Sequence, residues 1–222
     1  MELLRKTLKI VWPALAVAFF LVGCGVSDDT AGGDEQEKSG ISGDEVSVGE
    51  TTAIVWGEEG SQGVVLAHGA AYDAASWEAQ GETLAENGIV ALAVEDTSPG
   101  SLRFATDYLK EEHDVESVAL IGASAGAGPV LRVAGEDPEE TSQVILLSGT
   151  GDVSGLGEYP KLFVASEGEG IAEEVRRMAE EAPGYRNEAL ILPGDAHAQT
   201  IFQTGEGERL MQVILERIEE YG

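Results

Sequence analysis

A single cysteine, Cys24, stands in a chain of 222 residues, so no disulfide can form within it and a folded domain must rely on its own core. Histidine is nearly as scarce, at three. Without a second cysteine or clustered ligand spacing, a structural zinc site has no basis, and no metal is expected. Cations are short too: 13 Lys and Arg face 41 Asp and Glu, for a net charge of −28. That imbalance argues against nucleic acid as a partner and against adsorption to anionic lipid by charge. The acid reads as a solvated surface rather than a binding face. No apolar run approaches the roughly 20 residues of a comfortable membrane span.

What is present begins with a basic and then apolar N-terminus. Arg5, Lys6 and Lys9 precede the apolar stretch Ile10 to Val22, which closes in Leu21-Val22-Gly23-Cys24. Residues 1–23 read as a secretion signal, because the rival, an uncleaved anchor, would have to hold Pro13 inside a short helix. Arg5 and Lys6 lack the extended context of a twin-arginine signal, which favours the general secretory route. The last four residues resemble a bacterial lipobox. That resemblance implies that Cys24 is acylated on its thiol and becomes the first residue of an extracytoplasmic, membrane-anchored lipoprotein. Cleavage there removes three basic residues and one acidic one, which takes the net charge from −28 to −30. Residues 24–50 are rich in Gly, Ser, Asp and Glu, offer little to bury, and are expected to form a disordered acidic tether.

Residues 51–222 alternate strand-like and helix-like stretches, the signature of an α/β domain with a mostly parallel central sheet flanked by helices. Strands are expected at Ala53–Trp56, Gly63–Ala67, Ile89–Val94, Val118–Ile121, Gln143–Leu147, Lys161–Ala165 and Glu188–Leu192. Helices are expected at Ser76–Asn87, Ser98–Glu112, Ala125–Gly135, Ile171–Glu181 and Gly207–Tyr221. The apolar stripe Leu210, Val213, Ile214 and Ile218 of the last helix reads as core packing. No insertion is long enough for a large cap domain.

Ser124 lies where the apolar run Val118-Ala119-Leu120-Ile121 passes through Gly122-Ala123-Ser124-Ala125-Gly126 into a helix-like segment. With 29 glycines in the chain, a Gly-x-Ser-x-Gly string arises by chance roughly 0.2 times, so the string alone decides little. Its context decides more. Ligands of an open parallel sheet meet the carboxyl ends of the strands, so the polar residues directly after strands matter. His113 sits between a helix and the amino end of the next strand, among acidic neighbours, and reads as a surface residue. His68 follows a strand, yet the glycine after it points to a backbone turn that presents an amide. His197, in Leu192-Pro193-Gly194-Asp195-Ala196-His197, lies on a loop before the last helix and suits a general base.

Together, His68-Gly69-Ala70, the Ser124 elbow, an acidic loop after a late strand and the late His197 resemble the α/β-hydrolase fold in content and order. The likeness is greatest to small lidless esterases of the dienelactone-hydrolase and carboxylesterase kind. It implies a Ser124–His197–acid triad that forms an acyl-enzyme, without a cofactor, on a small carboxylic or thio ester. The family's acid position falls on Glu169 in Ser166-Glu167-Gly168-Glu169-Gly170, with Glu167 and Asp152 as alternatives; Asp195 reads as a turn residue. Oxyanion donors would be the backbone N–H groups of Ala70 and Ala125. Tyr72 and Trp77 follow the first turn, placed to line a pocket or, for Trp77 equally, to pack the first helix on the sheet. The rival from another class is a catalytically silent, surface-tethered binding protein.

Overall fold

Runs such as Val64-Val65-Leu66-Ala67 and Val90-Ala91-Leu92-Ala93-Val94 have no polar residue to turn toward water, and they form the buried centre of an eight-stranded sheet. The computed structural model describes residues 42–222. The signal sequence, Cys24 and most of the expected tether lie outside the described residues. The strands are β1 (Asp44–Val48), β2 (Thr51–Trp56), β3 (Gln62–Ala67), β4 (Ile89–Val94), β5 (Ser117–Ala123), β6 (Gln143–Leu147), β7 (Lys161–Ser166) and β8 (Asn187–Leu192). Their order across the sheet is β1-β2-β4-β3-β5-β6-β7-β8. Strands β4, β3, β5, β6, β7 and β8 run parallel, and β1 and β2 close one side as antiparallel neighbours.

Strand alternation sorts the core into two layers. Val65, Ala67, Leu120, Phe163 and Ala165 face one side, where α2 (Pro99–Glu112), α3 (Ala127–Glu136) and α4 (Ala172–Glu181) bury their apolar stripes. Val64, Leu66, Ile121, Leu162 and Val164 face the other, under α1 (Glu78–Glu86) and α5 (Gly207–Tyr221). The α5 stripe does pack in the core: Leu210, Ile214 and Ile218 are buried against this layer. The longest connection among the described residues, from β6 to β7, carries no further helix or strand, so no large cap covers the sheet.

One expectation changes and one open choice is decided. The tether does not extend to residue 50, because Asp44–Val48 pairs with β2 in full register from Asp44 opposite Val55 to Val48 opposite Thr51. Its Asp-Glu-Val-Ser-Val sequence looks like linker, yet Val46 and Val48 alternate inward while the acids face water, as suits an edge strand that must not recruit another chain. Trp77 is also not a pocket residue. It is 1% exposed and meets Phe202 edge-on at 6.2 Å between ring centroids, so it packs the first helix on the sheet.

One buried charge holds the far end of the sheet. Lys161, at the start of β7, is fully buried, and its Nζ donates to the carbonyls of Gly157 (2.7 Å), Tyr159 (2.6 Å) and Pro183 (2.7 Å). The ammonium thereby ties the β6–β7 connection to the segment leading into β8. Burial pushes its pKa down from 10.5 to about 8, opposed by the nearby charge of Glu158. Replacing it with methionine leaves those carbonyls unpaired, and Lys161→Met should cost about 3 kcal/mol at neutral pH. Between pH 8 and 10.5 the unfolded chain keeps a proton that the folded chain has released, so wild-type stability rises with pH relative to the variant. Urea unfolding of both chains across that window should show the gap widening, and a constant gap would contradict it.

Candidate active site

The elbow after β5 is built by two glycines that can carry no side chain. A Cβ on Gly126 would lie 2.5 Å from the Ala67 carbonyl oxygen and 2.8 Å from that of His68; one on Gly122 would lie 2.9 Å from the Gly126 carbonyl oxygen. Both contacts are with backbone, which cannot swing aside. This close packing sets the turn into α3 against the end of β3, with Ser124 at its tip in the left-handed region at φ 48°. That conformation costs a non-glycine residue about 1–2 kcal/mol, and here it aims the hydroxyl out of the sheet edge.

His197 meets it from the loop after β8. Its Nε2 lies 2.7 Å from Ser124 Oγ and its Nδ1 lies 2.5 Å from Glu169 Oε1. A carboxylate accepts only, so Nδ1 carries the proton and Nε2 is left to accept from the serine hydroxyl. The imidazole is 56% exposed, whereas the Glu169 side chain is 5% exposed. The base is therefore open to solvent while its partner is enclosed.

Glu169 closes a short 3-10 turn, Glu167–Glu169, that follows β7 directly. Its second oxygen, Oε2, accepts the Ser166 N–H at 2.6 Å and the Ser148 hydroxyl at 2.8 Å. Ser148 Oγ accepts in turn from the Ala198 N–H at 2.7 Å. Ser148 and Ala198 adopt positive φ angles of 50° and 52°. Three of the four such non-glycine residues among the described residues thus belong to this site. The acid loop also rests on the histidine loop, where Gly168 N–H donates to Gly194 O at 2.8 Å and an added Cβ on Gly168 would strike Asp195.

The structure brings Ser124, His197 and Glu169 together and leaves the two alternative acids out of contact with the imidazole. Glu167 is exposed on the first residue of the 3-10 turn. Asp152 is exposed in the β6–β7 connection, where the Ser154 N–H donates to it and lowers its pKa. Asp195 lies in the turn after β8 behind Gly194, whose φ is 101°. His113 caps α2 with its Nδ1 3.1 Å from the Glu58 carbonyl oxygen, far from the serine's strand end. His68 turns both ring nitrogens to backbone carbonyls, Gly69 O at 2.9 Å and Glu95 O at 3.1 Å, so its place is architectural. The Ala70 N–H has no acceptor among the described residues, and Ala125 lies in the first turn after the elbow, where amides have no intrahelical acceptor. An added Cβ on Gly69 would lie 3.5 Å from Ser124 Cβ and 3.6 Å from the Tyr72 ring. Tyr72, half-buried, is thus the aromatic beside the serine.

Two site residues have no place in the sequence reading: Ser148 and Gln199. Ser148 directly follows β6, and the rule that singled out residues at strand ends applies to it as much as to Asp152. Gln199 carries no signal in the sequence, because its role depends on contacts with Gly69 and Ser76 far away along the chain.

Sheet order, elbow and layered helices are those of the α/β-hydrolase fold without a large cap. A dienelactone hydrolase from Anabaena variabilis superposes with a TM-score of 0.67 at 21% identity, covering 81% of this chain and 96% of that one. Est1E from Butyrivibrio proteoclasticus matches with a TM-score of 0.64 at 15% identity over 81% of this chain and 98% of that one. A monoacylglycerol lipase from Paleococcus ferrophilus gives 0.63 at 17% identity over 78% of this chain and all of that one. No family model and no curated protein sequence matches this chain.

Removing the Ser148 hydroxyl leaves the Ala198 N–H buried without an acceptor and takes one donor from Glu169. Ser148→Ala should therefore lower unfolding free energy by about 1–3 kcal/mol, measured by urea denaturation. A change within about 0.5 kcal/mol would mean that the bridge contributes nothing.

Proposed function

We propose that this chain is a serine hydrolase that cleaves small carboxylic or thio esters through an acyl-enzyme. The observation that carries this reading is the unbroken pair of hydrogen bonds from Ser124 to His197 and from His197 to Glu169. Structural neighbours named as a dienelactone hydrolase, a lipase and esterases support it. Ser124 Oγ attacks the acyl carbon as His197 Nε2 takes its proton, and Glu169 stabilises the imidazolium and holds its tautomer. The carbonyl oxygen, now an alkoxide, is received by the N–H groups of Ala70 and Ala125. Collapse expels the alcohol or thiol, which leaves with the proton from His197. Water then attacks the acyl carbon as the same nitrogen takes its proton, and His197 returns that proton to Ser124 Oγ as the acid leaves. No cofactor takes part.

Charge shapes the substrate class. Every lysine and arginine from Arg103 onward is held elsewhere, eight by carboxylates and Lys161 by carbonyls, and none is bonded to a site residue. With no cation offered at the serine among the described residues and a net charge of −28 on the chain, neutral esters are favoured over anionic ones. The protein is also proposed to be anchored outside the cytoplasm through acylated Cys24, on the strength of the lipobox-like sequence.

Three measurements test these readings. On a short-chain nitrophenyl ester, Ser124→Ala should lower kcat by roughly 10³-fold or more, and Glu169→Gln by roughly 10²- to 10⁴-fold. A fluorophosphonate should label wild type but not Ser124→Ala. Normal turnover in Ser124→Ala would remove Ser124 as the nucleophile, whereas neither turnover nor labelling in wild type would sink the enzymatic reading and leave the silent binding protein. In cells fed an alkyne fatty acid, the chain should take up label that Cys24→Ala loses; equal labelling of both would refute the anchor.

A further inference from the structure

Gln199 is 5% exposed two residues beyond His197, and both ends of its carboxamide are used. Oε1 accepts the Gly69 N–H at 2.9 Å, and Nε2 donates to Ser76 Oγ at 2.7 Å. The orientation of the amide is fixed by its partners: a backbone N–H can only donate, so the oxygen must face Gly69. The Ser76 hydroxyl passes its own proton to the Asp73 carbonyl at 2.5 Å, so the network beneath the turn is complete.

What this clamp and the turn's own bonds fix between them is Gly69, and through it the Gly69–Ala70 peptide. Glycine is the residue with the most freedom at φ and ψ, so an amide carried on it points nowhere in particular unless both neighbouring peptides are held. Gln199 holds the peptide before Gly69 by its N–H. The peptide after it is held by its carbonyl, which accepts the Tyr72 N–H at 3.0 Å and stands 2.9 Å from His68 Nδ1. A trans peptide is planar, with its N–H opposite its C=O, so fixing the Gly69 carbonyl aims the Ala70 N–H the other way. That amide has no acceptor among the described residues, and Gly69 is packed beside Ser124.

We infer that Gln199 is a positioning residue of the reaction, acting through Gly69 to hold the Ala70 N–H where the oxyanion forms. This rests on the serine-hydrolase reading. The three consecutive residues His197, Ala198 and Gln199 meet the nucleophile and acid, Ser148, and the oxyanion turn respectively. One short segment therefore sets the base and the oxyanion donor in register. A donor displaced by about 1 Å from a developing charge loses much of its effect on the transition state and little of its effect on substrate binding.

The test is Gln199→Met, which keeps bulk and loses both hydrogen bonds, with Gln199→Glu as the conservative variant that restores an acceptor to Gly69. On a nitrophenyl ester, Gln199→Met should lower kcat by about 10- to 100-fold with KM within about three-fold. Its affinity for an alkyl boronic acid, which forms a tetrahedral adduct on Ser124, should fall by a similar factor. Gln199→Glu should recover most of the kcat. If the methionine variant does not fold, Gln199→Asn, a methylene too short to reach Gly69, must show the same loss in kcat and in boronate affinity. A kcat within two-fold of wild type in a folded Met or Asn variant overturns the inference, as does a loss carried by KM with boronate affinity unchanged. Wild type is labelled with a fluorophosphonate in parallel: failure there overturns the serine-hydrolase reading itself, whereas a labelled wild type confines any failure to Gln199.

Discussion

The buried carboxylate of Glu169 is the constraint around which the site is assembled. A charge on a side chain 5% exposed must find donors or change its protonation state. The donors come from three strand ends: the Ser148 hydroxyl after β6, the Ser166 amide at the end of β7 and the His197 ring after β8. One residue thus binds three neighbouring parallel strands at the edge where their chains would otherwise diverge. It also explains the choice of glutamate. The third residue of a capping turn must reach back to the amide that opens it, and glutamate is long enough to do so with one oxygen while offering the other to the imidazole.

Strain is concentrated where these loops meet. Ser124, Ser148 and Ala198 each hold a left-handed backbone that non-glycine residues avoid, and each is fixed by hydrogen bonds that a relaxed loop would forfeit. The energy for this comes from the sheet beneath, whose central strands are buried on both faces and tolerate no shift in register. Glycine plays the opposite part at Gly122, Gly126 and Gly168. There the backbone φ is ordinary and the need is for proximity, because loop backbone lies where a Cβ would sit.

Much of this fold is legible in the sequence because the strands are buried on both sides and their apolar runs are unbroken. The order of Ser124, Glu169 and His197 is legible for a related reason: each follows a strand on the carboxyl edge, Ser124 and Glu169 after buried runs and His197 after the half-buried edge strand β8. The expectations fail where a residue's setting depends on partners distant in the chain. Val46 and Val48 gain a buried side only once Asp44–Val48 pairs with β2, and alone the segment has the composition of a linker. For Trp77 the sequence leaves pocket and packing open, and the 3-10 turn at Ala74–Trp77 decides it by rotating the ring beneath the helix against Phe202. Gln199 is a polar residue in a short stretch of mixed polarity, and only the fold buries it.

The division of exposure within the site has a consequence for the proposed chemistry. His197 is more than half exposed and no cap among the described residues covers it, whereas Glu169 beneath it is enclosed. Deacylation needs a water at the outer nitrogen of that ring, and an exposed imidazole receives it from bulk solvent without a channel. Under the proposed chemistry the same openness removes walls that would measure an acyl chain, which leaves discrimination between substrates to the Gly69–Ala70 turn beside Ser124 and the Tyr72 ring packed near it. An open site with a rigid floor can be sparing in specificity and still exact in its handling of the oxyanion. That precision comes from buried hydrogen bonds below the surface, and it does not require the substrate to be enclosed.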